Sequence, residues 1–445
     1  MKNLPEGFLE KLRAVLSPEE CLEYISAFDK EYYRGIRVNT LKCSVSRAKE
    51  LLPFELTEAP FSDKGFYIPF ETQGLGNLPL HRAGAFYAQE PSAMSAVTVL
   101  DVQKGDYVLD LCAAPGGKST QIAAELDGTG LLWSNEIVKN RANILLSNIE
   151  RMGVVNAVVS SCRPDRLCSA LEGFFDKVLV DAPCSGEGMF RKDETAVAEW
   201  SPEHSKSCGE RQLAILESAA QALKEGGTLV YSTCTFSREE NEEVIERFLD
   251  SHKDFELVDC GVSFGRRALG KAVRITPMDG GEGHFAAKLK KSGELYGNDP
   301  TFSWIDTPQV RAALKLYDEI FKDRPFGERF EEVSDKLLLL PDAAIPALHG
   351  LGVLRAGLLF GEVKKNRIEP CHSVFAAARP DQVRSFIDLQ SGDPRLAKFF
   401  HGEEIEADEC LKGFTAVFVD GVSAGFGKAV GGTLKNRYPK GLRSL

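Results

Sequence analysis

Two cysteines stand in short turns that each follow a hydrophobic strand pattern. Cys184 lies in Val178-Leu-Val-Asp-Ala-Pro-Cys-Ser-Gly, and Cys234 lies in Leu229-Val-Tyr-Ser-Thr-Cys-Thr-Phe. A thiolate that adds to C6 of a cytosine makes C5 nucleophilic enough to accept a methyl group, and a base must then remove the C5 proton. Both turns follow a predicted strand, where an open parallel sheet binds its ligands. The pair therefore predicts methyl transfer to a pyrimidine ring carbon by covalent catalysis.

Asp181 precedes Cys184 by three residues and can hydrogen-bond the amino or N3 edge of a cytosine. The residues alone leave open which cysteine attacks. Cys184 follows a proline, as the nucleophile of DNA cytosine methyltransferases does, and the segment around Cys234 would then be structural. Most cysteines are inert packing residues. We apply that interpretation to the other nine, namely Cys21, Cys43, Cys112, Cys162, Cys168, Cys208, Cys260, Cys371 and Cys410.

A third segment, Val108-Leu-Asp-Leu-Cys-Ala-Ala-Pro-Gly-Gly-Lys-Ser, predicts a strand, a glycine turn and the start of a helix. Its small residues allow close approach of a ligand to the backbone. Glu136 follows Gly116 by twenty residues, where a carboxylate binds ribose hydroxyls in doubly wound folds. The glycine spacing matches neither a dinucleotide fingerprint nor a phosphate loop. With Asp110 for a cationic aminoacyl end, the segment predicts S-adenosyl-L-methionine as cofactor.

Composition limits the class of protein. A chain of 445 residues is too long for one core and predicts two to four domains. No apolar run reaches the ~18 residues of a membrane helix, so we expect no membrane partner. Eleven scattered cysteines are typical of a reducing cytoplasm. No Cys-x-x-Cys pair is present, and we expect no structural metal.

Strand and helix patterns alternate from about residue 81 to 291, which predicts an α/β fold with a parallel sheet covered on both faces. We expect a small α/β module over 1–80, the catalytic domain over 81–291, an intermediate α/β module over 292–370 and a further domain over 371–445. Predicted strands of the sheet are 107–111, 131–134, 157–160, 177–180 and 228–231. Predicted helices between them are 117–126, 139–152 and 210–223.

The net charge of −11 argues mildly against nucleic acid as a partner, because phosphate binding needs clustered Lys and Arg. From Lys412 onward, however, six basic residues stand against one acid. This tail predicts a local RNA-binding surface, with Tyr438 expected among the base contacts. The candidate RNA-binding residues are Lys428, Lys435, Arg437 and Lys440.

Together these segments resemble the RNA cytosine-C5 methyltransferases of the Sun family, and within it the bacterial small-subunit rRNA methyltransferase F type. The matching residues are Tyr87-Ala-Gln-Glu-Pro-Ser-Ala, Cys112-Ala-Ala-Pro-Gly-Gly-Lys, Asp181-Ala-Pro-Cys-Ser-Gly-Glu-Gly-Met-Phe, Ser232-Thr-Cys-Thr-Phe, Gly281-Glu-Gly-His-Phe and the C-terminal segment from Gly425. The resemblance spans nearly the whole chain. It implies a Rossmann-like methyltransferase fold with a PUA-like RNA-binding domain at the C-terminus.

The resemblance also implies roles that spacing alone does not assign. Cys234 would attack C6, and Cys184 would assist product release. The cofactor would contact Asp181 and the following residues: Cys112, Ala113, Ala114, Pro115, Gly116, Gly117, Lys118, Glu136 and Arg141. Relatives carry a polar residue near the adenine after the third strand, for which Asp165 is the candidate here.

The partner implied is RNA, namely 16S rRNA or the 30S subunit rather than DNA, and we expect a monomer. The alternatives are methylation of tRNA or large-subunit rRNA, or a ribosome-assembly factor that binds rRNA without catalysis.

Overall fold

The computed structural model describes residues 4–298, 306–346, 348–365 and 367–443. The N-terminal part has four short helices and a small antiparallel sheet of strand order β2-β3-β1-β4. The second helix begins where Ser17 caps it and Pro18 occupies its first turn. The elements are α1 (Glu6–Arg13), α2 (Pro18–Ser26), β1 (Gly35–Val38), α3 (Val45–Leu51), β2 (Thr57–Glu58), β3 (Gly65–Tyr67), α4 (Pro79–Arg82) and β4 (Phe86–Ala88).

The central part alternates strands and helices, as predicted. Its elements are α5 (Ser95–Leu100), β5 (Tyr107–Asp110), α6 (Gly117–Leu126), β6 (Leu131–Asn135), α7 (Lys139–Arg151), β7 (Ala157–Ser160), α8 (Pro164–Ala170), β8 (Phe175–Asp181), α9 (Glu194–Glu199), α10 (Pro202–Ala222), β9 (Leu223–Thr233), α11 (Glu242–Ser251), β10 (Phe255–Val258), β11 (Arg266–Ala268), β12 (Ala272–Ile275) and β13 (His284–Lys291).

Five parallel strands form the middle of this sheet, in the order β9-β8-β5-β6-β7. Antiparallel β13 and β12 extend it beyond β9. Side chains alternate between the faces: Leu109 and Val178 pack in one hydrophobic core, and Val108 and Leu179 pack in the other. Because both faces are covered by helices, the middles of the parallel strands are mostly apolar. The predicted doubly covered parallel sheet is present.

Beyond the sheet, the chain forms two smaller β structures. The first has strand order β14-β15-β17-β18, and the second has order β19-β21-β22-β23-β20. Their elements are α12 (Pro308–Ile320), β14 (Phe330–Val333), β15 (Lys336–Leu339), β16 (Val353–Ala356), β17 (Leu358–Lys364), β18 (Arg367–Pro370), α13 (His372–Ala376), β19 (Phe386–Leu389), α14 (Pro394–His401), β20 (Ile405–Glu406), β21 (Gly413–Val419), β22 (Val422–Val430) and β23 (Thr433–Asn436).

Two long-range contacts, a strand pairing and a shared hydrophobic core, join these parts. Strand β16 leaves its own region and pairs antiparallel with β7 at the edge of the central sheet, where Val353 lies opposite Ser160. The two ends of the chain also share one hydrophobic core, in which Phe86 of the N-terminal sheet packs with Phe399 and Tyr438. Within the described residues, no helix is long and apolar enough to cross a membrane.

Candidate active site

The two cysteines predicted to act together lie side by side. Strands β8 and β9 are parallel neighbours in which Asp181 lies opposite Ser232, so their carboxyl ends meet at the same edge of the sheet. Cys184 follows β8 and Cys234 follows β9, which brings the Cys184 Sγ to 3.2 Å from the Cys234 Sγ. One ring carbon of a bound base can therefore be within reach of both sulfur atoms.

The loops that carry the thiols are fixed by buried polar contacts. Gly188 donates its N–H to the Cys234 carbonyl at 2.9 Å, and a Cβ at Gly188 would lie 3.0 Å from that oxygen. Glu187 is fully buried and accepts hydrogen bonds from the N–H groups of Phe236 and Ser237 at 2.8 and 2.9 Å. Sequence reasoning missed Glu187 as a functional residue, although it stands inside the quoted motif after Cys184.

The two thiols differ in their surroundings. A hydrogen bond to Cys234, followed by burial, raises the pKa of the Cys184 thiol well above its ordinary value. Cys184 therefore keeps its proton at neutral pH. Lys118 and Lys192 both lie close enough to Cys234 for a thiolate there to stabilise their charged forms. The surroundings of Cys234 thus include two lysine side chains.

Asp181 is a carboxylate that lines the same cleft as the two thiols. It accepts hydrogen bonds from Lys118 Nζ at 2.7 Å and from Ser232 Oγ at 2.9 Å. Burial opposes its charge, but the attraction of Lys118 and the hydrogen bonds outweigh burial and lower the pKa of Asp181. Asp181 is thus an anion that can accept a hydrogen bond from an amino group such as that of cytosine.

His284 is a site residue that sequence reasoning missed. Its sequence pattern indicates only a strand, but strand β13 places the imidazole Nε2 3.9 Å from Asp181 Oδ1. The side chain is buried, and Nε2 has no hydrogen-bond partner among the described residues. Burial, aided by repulsion from Lys118, lowers the pKa of His284 to about 4, so the ring is neutral.

The glycine turn after β5 is built by contacts from two other elements. Arg37 of the N-terminal sheet is fully buried and donates to the Gly117 carbonyl at 2.6 Å. Arg141 of α7 donates to the Ala114 carbonyl at 2.9 Å. Gly116 has φ +114°, and a Cβ there would lie 3.2 Å from Leu145. The turn therefore needs glycine at this position.

A cleft of ≈750 Å³ runs along the carboxyl ends of the parallel strands. It collects seven of the predicted residues, namely Cys112, Ala114, Glu136, Arg141, Asp181, Cys184 and Cys234, together with Asp165. The other members of the glycine turn do not line it, although Lys118 forms an ion pair with Asp181, which does. These non-lining residues are Ala113, Pro115, Gly116, Gly117 and Lys118.

Asp110 does not lie where we expected it. It is fully buried beneath the turn, accepts a hydrogen bond from Ser119 Oγ at 2.7 Å, and is not among the residues that line the cleft. Burial raises the pKa of Asp110 to about 7. The expectation that it meets a cationic aminoacyl end is wrong, because the chain turns over it; Asp181 is the carboxylate exposed to that part of the cleft.

The cleft fits the predicted cofactor. Glu136 is held at the tip of β6 by the Val138 N–H at 2.9 Å and by Arg141 at 3.0 Å, as a ribose-binding carboxylate requires. The apolar side chains of Ile137 and Val138 are half exposed beside it and offer a surface for an adenine ring. Asp181 supplies negative charge at the opposite end, next to the thiols.

The four predicted RNA-binding residues lie on the surface of the C-terminal part: Lys428, Lys435, Arg437 and Lys440 are all exposed. Lys428 and Lys435 lie opposite each other on neighbouring strands β22 and β23. Tyr438 differs from expectation. It is buried, with its ring 5.4 Å from that of Phe399, and so cannot contact a base.

A parallel sheet with a cofactor cleft at its carboxyl edge, and a pair of thiols within that cleft, define a methyltransferase of the covalent, cysteine-dependent kind. Four family profiles match the chain. They describe the 16S rRNA methyltransferase RsmB/F (residues 97–290), the N-terminal domain of 16S rRNA methyltransferase RsmF (4–91), the RsmF first C-terminal domain (317–378) and the RsmF PUA domain (386–444).

Individual relatives agree with the profiles. The Vibrio cholerae ribosomal RNA small subunit methyltransferase F is 34% identical, over 99% of this chain and 98% of its own length. A solved methyltransferase homologue from Pyrococcus horikoshii is 30% identical and covers 65% of this chain and 100% of its own, with a TM-score of 0.56. NSun6 from the same organism, solved with SFG, has a TM-score of 0.57 at 23% identity over 65% of this chain and 99% of its own, and supports the fold alone.

The chain belongs to the RsmF branch of the 16S rRNA methyltransferases. The predicted Sun-family resemblance, the Rossmann-like fold, the PUA-like C-terminal domain, the enzymatic function and the dependence on S-adenosyl-L-methionine are confirmed by this membership.

Proposed function

We propose that this chain methylates C5 of cytosine in 16S rRNA, with Cys234 as the nucleophile and Cys184 as the residue that assists release. The observation that carries the proposal is the 3.2 Å approach of the two sulfur atoms beside Asp181. The substrate follows from the relatives, which are named for the small ribosomal subunit. The non-catalytic alternative is disfavoured because both thiols and the carboxylate share one cleft.

The surroundings of the two thiols support this division of labour. The hydrogen bond to Cys234 and burial raise the pKa of Cys184, which keeps its proton, whereas Cys234 lies close to Lys118 and Lys192. The Cys234 sulfur bonds to C6, and the electron pair of the C5–C6 double bond moves to make C5 nucleophilic. The cofactor supplies the electrophilic methyl group when it is bound.

Asp181 orients the base in this scheme. As an anion held by Lys118 and Ser232, it accepts a hydrogen bond from the cytosine amino group. After methylation a base removes the C5 proton, and the sulfur–C6 bond then breaks. As the C5=C6 bond re-forms, Cys234 leaves as a thiolate and the base keeps the proton taken from C5. The Cys184 thiol lies beside the leaving sulfur and can donate a hydrogen bond to it, which assists release.

The cofactor contacts are proposed on the same basis. Glu136 would bind the ribose, Arg141 would hold Glu136, and Cys112 and Ala114 would contact the cofactor, with the other residues of the glycine turn supporting them from behind. Asp165 lines the cleft near its apolar wall and is the candidate for the adenine, although Arg163 pairs with it at 2.9 Å.

The wider organisation is also a proposal. Domain boundaries near residues 80, 291 and 370 are proposed. The matching profiles span 4–91, 97–290, 317–378 and 386–444 and agree best with the second of them, because β4 still pairs in the N-terminal sheet and β16 crosses into the central sheet. The exposed residues Lys428, Lys435, Arg437 and Lys440 would contact RNA. We further infer a cytoplasmic monomer. The free state of all eleven cysteines supports a reducing compartment.

In vitro methylation tests the proposal. Purified protein with S-adenosyl-L-methionine is incubated separately with 16S rRNA, 30S subunits, 23S rRNA and tRNA, and bisulfite sequencing finds the modified cytosines. We expect discrete cytosines in 16S rRNA or in 30S subunits, and none with the variant Cys234→Ala. Modification of tRNA or 23S rRNA alone would keep the chemistry and overturn the substrate. No 5-methylcytosine in any of the RNAs would overturn the reaction.

A further inference from the structure

A second cavity, of ≈310 Å³, lies where three parts of the molecule meet. It shares no lining residue with the cleft that holds the two thiols. Lys42 and Arg82 come from the N-terminal part, Arg151 is the last residue of α7, and Arg443 comes from the C-terminal tail. We call this cavity the basic pocket, after these four residues. The closely packed ends of the chain create it, so no local sequence pattern predicts it.

The charge of the basic pocket is of one sign. Among the residues that the structure describes, no Asp or Glu lines it, and none of its four cations has a carboxylate within 4.0 Å. Elsewhere on this chain of net charge −11, arginines such as Arg191, Arg274 and Arg355 are paired with acids. Four like charges around a concave surface repel one another unless an anion lies between them.

The N–H groups of these cations differ in whether they already donate hydrogen bonds within the protein. Lys42 Nζ donates hydrogen bonds to the carbonyls of Ala83, Arg151 and Ser423, at 2.5, 3.2 and 3.0 Å, which uses all three of its N–H groups. It therefore offers no free N–H to a ligand. Arg82 makes no side-chain hydrogen bond among the described residues, and its guanidinium lies 5.5 Å from the Phe400 ring.

The two remaining arginines are only partly used. Arg151 donates from Nη1 to the His81 and Phe86 carbonyls at 2.9 and 3.4 Å and from Nη2 to Asn148 Oδ1 at 3.1 Å. Arg443 donates weakly to the Tyr438 carbonyl, from Nε at 3.4 Å and from Nη2 at 3.3 Å. A guanidinium has five N–H donors, so both keep donors for an oxyanion.

The pocket also stores unfavourable electrostatic energy. Burial, together with repulsion from Arg151, lowers the pKa of Lys42 to about 7. Burial likewise lowers the pKa of Arg151. An anion bound between them would oppose both effects, because it stabilises the charged forms.

We propose that the basic pocket binds a phosphate group of the substrate RNA backbone. The inference rests on the proposed function for the identity of the ligand, and on the four unpaired cations for the site. Strand β22 lines the pocket through Ser423 and Ala424 and also carries the exposed Lys428. An RNA strand lying across Lys428 and Lys435 can thus place one phosphate in the pocket.

The test compares salt dependence of RNA binding in the full chain. Wild type, Arg82→Gln, and the double variant Arg82→Gln with Arg443→Gln are titrated with 16S rRNA at several salt concentrations. The slope of log Kobs against log[salt] is negative. We expect both variants to make it shallower by about 0.7–0.9, which corresponds to one phosphate that is no longer neutralised. Lys322→Gln removes an exposed charge outside both the pocket and the basic tail and should leave the slope unchanged.

Separate readouts distinguish the possible failures. Cofactor binding and thermal unfolding report whether each variant is folded; Arg82→Gln breaks no protein hydrogen bond and keeps the test decisive if the double variant misfolds. Unchanged slopes in a folded Arg82→Gln, with wild type still methylating 16S rRNA, would overturn the pocket alone. If inorganic phosphate stabilises wild type but not Arg82→Gln, while the slopes do not change, the pocket binds free phosphate rather than RNA, and the inference is wrong.

Discussion

Glu187 and Glu240 hold the two cysteine loops to each other from opposite sides. Glu187 lies in the loop of Cys184 and accepts the N–H groups of Phe236 and Ser237, which follow Cys234. Glu240 lies beyond Cys234 and accepts the Ser185 N–H at 2.9 Å, next to Cys184. Each loop thus carries the acceptor for the other, and the sulfur separation depends on both carboxylates.

Replacing Glu187 by Gln should separate the loops. Its Oε1 also accepts a hydrogen bond from Trp200 Nε1 at 2.9 Å, whereas Oε2 accepts the two backbone N–H groups, so the NH₂ of a glutamine would face donors on either side. Hydrogen bonds to a charged group contribute about 1.5–3 kcal/mol each. We expect Glu187→Gln to lower the free energy of unfolding by about 2–3 kcal/mol and to slow covalent adduct formation. Urea unfolding and RNA trapping measure both effects, and the exposed Glu199→Gln is the control. Normal adduct formation in a destabilised variant would contradict the role of Glu187.

Lys118 should determine the acid limit of the reaction. It holds the pKa of Asp181 below its ordinary value, so Asp181 stays charged down to low pH. In Lys118→Gln the buried carboxylate loses this partner, and its pKa must rise. We expect the acidic limb of the single-turnover pH profile to move to higher pH. Lys104→Gln removes a surface charge that pairs with Asp127 and should leave the limb in place. An unshifted limb in Lys118→Gln would show that Asp181 does not need its charge.

His284 should position Asp181 and the base as a neutral imidazole. We expect His284→Gln to lower the single-turnover rate about tenfold, which corresponds to about 1.4 kcal/mol, without weakening cofactor binding. In wild type, NMR titration should show no protonation of this ring until the pH approaches about 4. A ring that titrates near 6.5 would contradict this assignment.

The low pKa of His284 also predicts an effect on stability. Its folded-state pKa lies below the ordinary 6.5, so the folded protein binds fewer protons than the unfolded chain. This contribution is fully present above pH 6.5 and is lost as the pH falls towards about 4. The urea midpoint should therefore fall more between pH 7.5 and pH 5 in wild type than in His284→Gln. The exposed His401→Gln should behave as wild type.

The basic strands of the C-terminal part should contribute to RNA binding independently of the cleft. Charge reversal in Lys435→Glu with Arg437→Glu should weaken RNA binding and lower the salt slope by about 0.7–0.9 for each phosphate that is no longer neutralised. The matched control reverses two exposed charges of another surface, Lys315→Glu with Lys322→Glu. Equal slopes in the two double variants would rule out a specific RNA surface at Lys435.

The sequence predicted those parts of the molecule that depend on local patterns. Parallel strands are continuous apolar runs, and each motif stands directly after one, so the meeting of Cys184 and Cys234 at one sheet edge followed from alternation alone. Glu136 was found for the same reason. The glycine turn was recognised because small residues separated a strand from a helix.

The features that were missed depend on contacts between distant segments. His284 reaches Asp181 only because β13 pairs antiparallel with β9, a register that the sequence does not reveal. The edge strand β16 and the burial of Tyr438 depend on packing between parts of the chain far apart in sequence. Asp110 was misplaced because a strand-end carboxylate can turn into the protein as readily as into the cleft.

The proposed mechanism depends above all on Cys234 forming the bond to RNA and Cys184 releasing it. Each cysteine is replaced by alanine, the protein is incubated with cofactor and 16S rRNA, and denaturing gels separate the covalent complex from free protein. We predict that Cys184→Ala accumulates a stable protein–RNA adduct and that Cys234→Ala forms none. An adduct in Cys234→Ala but not in Cys184→Ala would refute this assignment and make Cys184 the nucleophile.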